Sequence, residues 1–361
     1  MGVARNVNAV GSTLVTTGRW ALGCLVVAFA AFGCDDRGTD DVVVVYTSVD
    51  EVFARPILEA FERTSGLRVK PRFDVEANKT SGLFQRLLAE RSRPSADVFW
   101  NSEVARTVQL EKEGLLEPYR PPSAVAVPPS FLSLTSSWVG FGLRARVLIY
   151  HRERLGEREP PSSIADLAAP RFRGEAAIAL PLFGTTATHT GALHARLGAA
   201  ALERFLRTLI DSDIHVLGGN SNVRDRVVSG ELTVGLTDTD DAHVALRKGA
   251  PIGIVFPDQI AGFPGVAEPL GTFVIPNTAA LIRNGPNPTA GRAFLDYLLA
   301  PTTEEALAQG ESAQIPVREE LARPKLLEVP DNLRLMEVPF AAVAAGVEAS
   351  TPLVRRLFLT R

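Results

Sequence analysis

Residues 42–66, VVVVYTSVDEVFARPILEAFERTSG, decide the fold class. Val42 to Tyr46 is a continuous β-branched run closed by an aromatic, the pattern of a strand buried on both faces in a parallel sheet. Thr47 and Ser48 end it, and Asp50 is placed to cap a helix. Phe53, Ile57 and Phe61 recur at four-residue spacing and form one apolar stripe. Gly66 follows as a helix stop. The pattern then repeats, with a strand over 67–73, a helix over 81–90, a strand over 96–100 and a helix over 102–113 closed by Gly114. This βαβαβ order predicts an α/β fold with a doubly wound sheet.

Outward from there, Pro118, Pro121, Pro122, Pro128 and Pro129 mark a surface loop, and 138–150 is rich in strand formers. A second set of βα units is expected from about 148 to 265. Its strands fall at 176–180, 215–217, 233–236 and 252–256, and its helices at 163–168, 184–197, 202–210, 222–229 and 242–247. Strands over 270–275 and 279–282 and helices over 288–299, 302–309 and 352–358 complete the chain.

Upstream, an apolar run from Ala21 to Phe32 follows Arg5 and Arg19 and ends in Gly33-Cys34-Asp35-Asp36, the order of an export signal. A cysteine at that point resembles the lipobox of a bacterial lipoprotein, with Phe32 where a small residue is usual. Residues 1–33 are therefore expected to be a lipoprotein signal peptide, Cys34 the lipidated residue, and 34–41 a tether. A cleaved secretion signal and an uncleaved anchor are the alternatives, the run being shorter than the ~20 residues of a spanning helix.

The chain has 361 residues, a net charge of -3 and two cysteines, Cys24 and Cys34. Both cysteines lie in or beside the leader, so the body has no disulfide, no cysteine nucleophile and no Cys-ligated metal to draw on. An acidic body without a basic face argues against nucleic acid as partner. No Gly-x-Ser-x-Gly, His-Glu-x-x-His, phosphate loop or Cys-x-x-Cys is present, so no enzyme activity is expected.

Several phrases occur in a telling order: VVYTS at 44–48, FERTSGLRV at 61–69, PSADVFW at 94–100, GLLEPY at 114–119 and SGELTVGLTD at 229–238. Together they resemble the extracellular solute-binding proteins of ABC importers, in the branch that includes ferric-iron-binding proteins. The resemblance covers roughly 42–320. It implies a type II periplasmic-binding-protein-like fold, two α/β lobes joined by hinge crossovers near 140–148 and 258–272. It divides the chain into lobe 1 over 42–145 with a return over 266–318, lobe 2 over 146–265, and a C-terminal helical segment over 319–361. It also implies an extracytoplasmic, lipid-anchored monomer partnered by an inner-membrane permease.

Ligands in doubly wound sheets bind where strands end and helices begin. Four such ends are readable: Ser48 with Asp50; Ser102 with Glu103; Thr185 and Thr186 with Asn220 and Ser221; and Asp238, Thr239, Asp240 and Asp241. Three carboxylates in four positions repel one another unless a cation or donors stand close. The alternative is that Asp238 or Asp240 caps the helix near Ala242 while Asp241 meets water. Gly184-Thr185-Thr186 reads as an anion nest at a helix start, or as simple capping. In the iron-binding relatives a pair of tyrosines stands where this chain has Asp240 and Asp241, and a histidine or other oxygen ligand where it has Asp50. Asp50, Asp240 and Asp241 are accordingly the candidate metal ligands. His189 and His194 lie on different helix faces, His243 is expected at the surface, and Trp100 either lines the cleft or packs in the core.

The expected function is capture of a small solute by lobe closure. The solute is ferric iron or another cation, with or without an anion, and no resident cofactor is expected. A phosphonate, a phosphorylated compound, a polyamine or a ligand-presenting sensor role remain the alternatives.

Overall fold

The structure is a computed structural model, and it describes residues 41–74, 81–260 and 263–359. The leader, Cys34 and most of the tether lie outside the described residues. β1 (Val42–Thr47) runs parallel to β2 (Arg68–Phe73) on one side and β3 (Val98–Asn101) on the other. α1 (Glu51–Ser65), α2 (Ser81–Ala89) and α3 (Val104–Lys112) accompany them. Along β1 only Val44 is less than fully buried, as a strand covered on both faces requires.

The stripe of α1 that enters the core is Ala54, Ile57, Leu58 and Phe61. Each large apolar side chain removed from water there contributes roughly 1.5–3 kcal/mol. Phe53 is only partly buried and turns toward the cleft described below. Gly66 takes φ 74° and its N–H returns to the Glu62 carbonyl at 3.0 Å, so the left-handed stop is where the sequence puts it.

β5 (Val139–His151) is the central strand. Its first part pairs with β10 (Val274–Ile282), which also pairs with β3 and with the short β4 (Leu116–Glu117). Its second part pairs with β8 (Val234–Asp238) and β9 (Ile252–Val255). β6 (Ala176–Ala179) and β7 (His215–Leu217) extend the sheet beyond β8, all three parallel. The full order is β2-β1-β3-β10-β5-β8-β6-β7. Thus β5 is shared by two α/β halves, and β10 carries the chain back to the first.

The helices of the second half are α4 (Arg152–Leu155), α5 (Gly184–Leu197), α6 (Ala199–Asp211), α7 (Asn220–Val228) and α8 (Thr239–Arg247). α9 (Pro288–Leu298) and α10 (Pro301–Gln309) follow β10. α11 (Phe340–Phe358) ends the described chain. It packs along α5 of the second half and also reaches α3 of the first. The α5–α11 crossing is glycine on glycine: a Cβ on Gly346 would sit 2.2 Å from the Gly191 carbonyl oxygen.

Some expectations need correction. The strands expected at 270–275 and 279–282 are one strand, β10, from Val274 to Ile282. Pro276 and Asn277 looked like a break, but a register shift between them absorbs the proline within the strand. Of the segment from 258 to 272, expected to cross back, the described residues form no strand; the return pairing begins at Val274. Residues 163–168 form a 3-10 turn over Ile164–Ala168 rather than an α-helix. The last helix begins at Phe340, not near Pro352, and contains that proline. Packing on α5 sustains it through a residue that local propensity reads as a start. Among the described residues no helix is long and apolar enough to cross a membrane.

Candidate functional site

The ends of β1, β3, β6, β7 and β8 converge on one cleft of about 530 Å³. Of the residues expected there, Asp50, Ser102, Thr185, Thr186, Asn220, Ser221, Asp238, Asp240 and Asp241 line it. Ser48, Glu103 and Thr239 do not, and each has a supporting task. Ser48 donates to Asn101 Oδ1 at 2.6 Å and accepts from the Ser102 N–H at 2.9 Å, fixing the loop that carries Ser102. Glu103 caps α3 through the N–H groups of Ala105 (2.7 Å) and Arg106 (3.1 Å), and accepts from Thr188 of the second half at 2.8 Å. Thr239 accepts from the Ala145 N–H at 3.1 Å and pins the start of α8 to β5.

α7 and α8 begin earlier than the sequence suggested, at Asn220 and Thr239. This places Asn220 and Ser221, and Asp240 and Asp241, in first helical turns instead of loops. Acidic residues suit that position beside the positive end of the helix dipole. The capping alternatives do not hold for Asp238, Thr185 or Thr186. Asp238 holds the N-cap position of α8 without a side-chain cap bond, and α5 starts after Phe183 with none either. Asp50 likewise occupies the N-cap position of α1 without a side-chain cap bond.

What holds these side chains is a pair of arginines that the sequence reading missed. Arg144 and Arg146 lie two apart on β5 and so share one face of it. Arg146 is fully buried and donates from Nη1 to Asp238 Oδ1 at 2.5 Å, to Asn220 Oδ1 at 3.1 Å and to Thr185 Oγ1 at 3.2 Å. Its Nη2 reaches Thr186 Oγ1 at 3.3 Å. Asp238 also accepts from Thr185 at 2.7 Å and from Asn220 Nδ2 at 3.1 Å. Arg144 lies 3.4 Å from Asp238 and 3.6 Å from Asp240, and its Nη2 donates to the Ser102 carbonyl of the first half. A third arginine, Arg224 on α7, holds Asp241 at 3.0 Å, where Thr237 also donates at 3.0 Å. The signal was present in Arg144-Ala145-Arg146 inside a run of strand formers, because arginine is almost never buried without a partner.

The electrostatics follow from this network. Burial alone would raise the Asp238 carboxyl, but Arg146 and Arg144 outweigh it and hold the group below the usual carboxylate range. Burial would lower Arg144, yet Asp240, Asp238, Asp50 and Asp241 more than offset that and raise it. Asp240 is raised, by burial first and then by Asp238 and Asp50, against the pull of Arg144. Asp241 is pushed up to about 8 by burial, Asp240 and Asp238, with Arg224 opposing. Asp241 therefore keeps its proton well above the ordinary range.

Among the described residues no three His, Cys, Asp or Glu side chains are gathered so as to hold a metal ion. Asp50, Asp240 and Asp241 all face the cleft without forming such a trio. None of the four tyrosines lines it. Trp100 is fully buried, tilted against Phe141 at 6.3 Å between ring centres, and belongs to the core. His189 is buried in a stack on Phe273, which with Arg146 lowers it to about 3 and keeps it neutral. His243, expected at the surface, is 7% exposed and its Nδ1 lies 3.1 Å from the Glu311 carbonyl.

Comparison with known proteins places this architecture. The sequence pattern of the bacterial extracellular solute-binding proteins matches residues 94–342. The chain belongs to that family. This solute-binding protein is 25% identical to the major ferric iron-binding protein of Neisseria meningitidis serogroup B over 271 residues, 73% of this chain and 78% of the relative. Its fold matches the apo ferric ion-binding protein A of Pasteurella haemolytica with a TM-score of 0.76 at 18% identity, over 88% of this chain and 98% of the other. It matches the periplasmic binding protein AfuA of Actinobacillus pleuropneumoniae, solved with fructose-6-phosphate bound, with a TM-score of 0.76 at 20% identity over 88% and 99%. The solute-binding protein thus has the type II periplasmic-binding-protein-like fold, two α/β halves with β5 and β10 between them.

Proposed function

We propose that this protein is the solute receptor of an ABC importer, held outside the cytoplasm by a lipid on Cys34, and that its solute is a small phosphorylated organic compound. The observation that carries the reading is the pairing of the acidic loop with three arginines, two of them buried. Asp238 and Asp240 meet Arg144 or Arg146, and Asp241 meets Arg224. Carboxylates so engaged are poor candidates for stripping a hard cation of its water, which takes a dedicated set of oxygen ligands.

The helix starts beside that loop, in the same half, suit an anion. The N-termini of α5 and α7 open on the cleft, and neither is capped by a side chain. Free N–H groups at two helix starts, with the hydroxyls of Thr186 and Ser221, form a cradle for phosphate oxygens. Arg144, already more than nine-tenths buried, lines the same cleft. Val52 and Phe183 are exposed at 61% and 41% and give an organic body apolar surface to rest on. Asp50 and Asp240 face the same space and would accept from its hydroxyl or amino groups. The structural likeness to a protein that holds fructose-6-phosphate supports this reading. The names of other relatives favour ferric iron as the second reading.

Thermal shift and native mass spectrometry with hexose phosphates, phosphonates, polyamines and ferric citrate separate the two. A ligand at a hundredfold excess over Kd stabilises the folded state by roughly 2.7 kcal/mol. That moves the midpoint by about 5–10 °C at 2–4 °C per kcal/mol. A shift with ferric citrate and none with any phosphate ester would overturn the proposal.

A further inference from the structure

We infer that Arg144 sets the charge class of the solute: its guanidinium fills the place among Asp50, Asp238 and Asp240 that a cation would otherwise take. This rests on the organic-phosphate reading above and names the residue behind it.

The geometry singles out Arg144 among the three arginines. Arg146 is fully buried and committed to Asp238, Thr185, Thr186 and Asn220. Arg224 also lines the cleft but is paired with Asp241 and Asp225. Arg144 lines the cleft and is 8% exposed; its buried Nε, like that of Arg146, has no hydrogen-bond partner among the described residues. It pairs with Asp240 at 3.6 Å.

The groups it bonds or pairs with present oxygens. The Ser102 carbonyl comes from the first half, and the Asp238 and Asp240 carboxylates come from the second. Carbonyl and carboxylate oxygens converging on one point are the donor set of hard cations. With arginine present that point already holds a positive charge. A metal ion there would meet repulsion instead of attraction, while the anionic end of a solute gains a fixed counter-charge. The selection is therefore by occupation: one strand residue fills the acidic pocket from within and leaves the helix N-termini as the attractive surface.

The inference makes an asymmetric prediction. Arg144→Gln removes the charge and supplies a further carbonyl oxygen, so the folded variant should bind Tb3+ at least about tenfold more tightly than wild type. The same change should weaken a phosphate ester by about tenfold, the scale of one charge-assisted contact. Arg144→Lys keeps the charge and should keep Tb3+ out. Terbium luminescence titrations of wild type, R144Q and R144K give the first readout, and fructose-6-phosphate thermal shifts of wild type and R144Q give the second. Gain of Tb3+ binding in R144Q alone supports the inference. Equal Tb3+ affinity in wild type and R144Q overturns it, whatever the phosphate ester does. Absence of a shift with any phosphate ester in wild type, with Tb3+ selectivity intact, overturns the solute reading instead. Arg144→Met serves as the second uncharged variant, and failure of both uncharged variants to fold would make Arg144 a structural residue and overturn the selector role.

Discussion

Replacing Asp238 by Asn tests whether the buried ion pairs hold the site together. The side chain keeps its shape and loses its charge. In the wild type it is 1% exposed and accepts from Arg146 at 2.5 Å, Thr185 at 2.7 Å, Asn220 at 3.1 Å and Arg144 at 3.4 Å. Oδ1 serves Arg146, and Oδ2 serves the other three donors. An asparagine has one oxygen for these two sides, so its NH2 must face at least one donor. Breaking a buried pair by removing one partner costs about 3–5 kcal/mol, because the remaining charge stays buried. At the lower slope suited to a large domain, about 2 °C per kcal/mol, D238N should melt roughly 6–10 °C below wild type. Urea unfolding at neutral pH, with an unchanged slope, measures the free energy directly. Adding Arg146→Met should recover part of the loss, since it removes the buried charge that D238N leaves without its carboxylate. A D238N midpoint within about 1 kcal/mol of wild type, or a double variant as unstable as the sum of the two, would refute the reasoning.

Two further expectations concern the same half. Asp241 carries its proton to about 8, so its contribution to stability is full below the ordinary carboxylate range and is lost as pH rises toward that value. Asp241→Asn should therefore gain on wild type steadily from about pH 4 to pH 8 and no further, and parallel melting curves across that span would show that Asp241 is ionised throughout. Gly346→Ala should destabilise the protein although alanine favours a helix by ~1 kcal/mol. The new Cβ would meet the Gly191 backbone, α11 must retreat from α5, and overpacking of this kind costs about 1–3 kcal/mol. Ala345→Gly, at an exposed position of the same helix, serves as the control for propensity alone. A rise in the G346A midpoint would mean that the two helices do not touch there.

What the sequence disclosed was local or periodic. The run Val42 to Tyr46, the α1 stripe and Gly66 depend on neighbours within a few residues, and they stand where expected except that Phe53 leaves the stripe for the cleft. Strand ends converge on the cleft because the topology obliges them to. The starts of α7 and α8 were set too late. Asn220-Ser221-Asn222 and Thr239-Asp240-Asp241 have the composition of caps and turns, and only β5, through Ala145 and Thr239, fixes the true first turn of α8. β10 was divided because a proline in a strand looks like an end until its bulge is seen. The arginines were missed for a different reason. Arg146 and Asp238 are 92 residues apart, and nothing local to either announces the other.

That separation changes how the acidic loop should be understood. Counting carboxylates along the chain gives a cation site; counting charges in space gives near balance. Asp50, Asp238, Asp240 and Asp241 stand against Arg144, Arg146 and Arg224, and Asp241 keeps a proton across neutral pH. A balanced buried network adds little net stability, because desolvation of each charge offsets most of the attraction. Its consequence is orientation. Arg144 touches the Ser102 carbonyl on one side of the cleft and Asp240 on the other, so the two halves share one charge at their meeting point. Glu103 and Thr188 make a second such contact, and α11 lies along both halves. A solute that adds an anionic group at the α5 and α7 starts, in the second half, and a hydroxyl at Asp50, in the first, would touch both halves at once in a closed arrangement. Differential contact of that sort is what shifts a population of open and closed forms. A bare cation at that point would have to displace Arg144 first, and in doing so would break its contact with both halves.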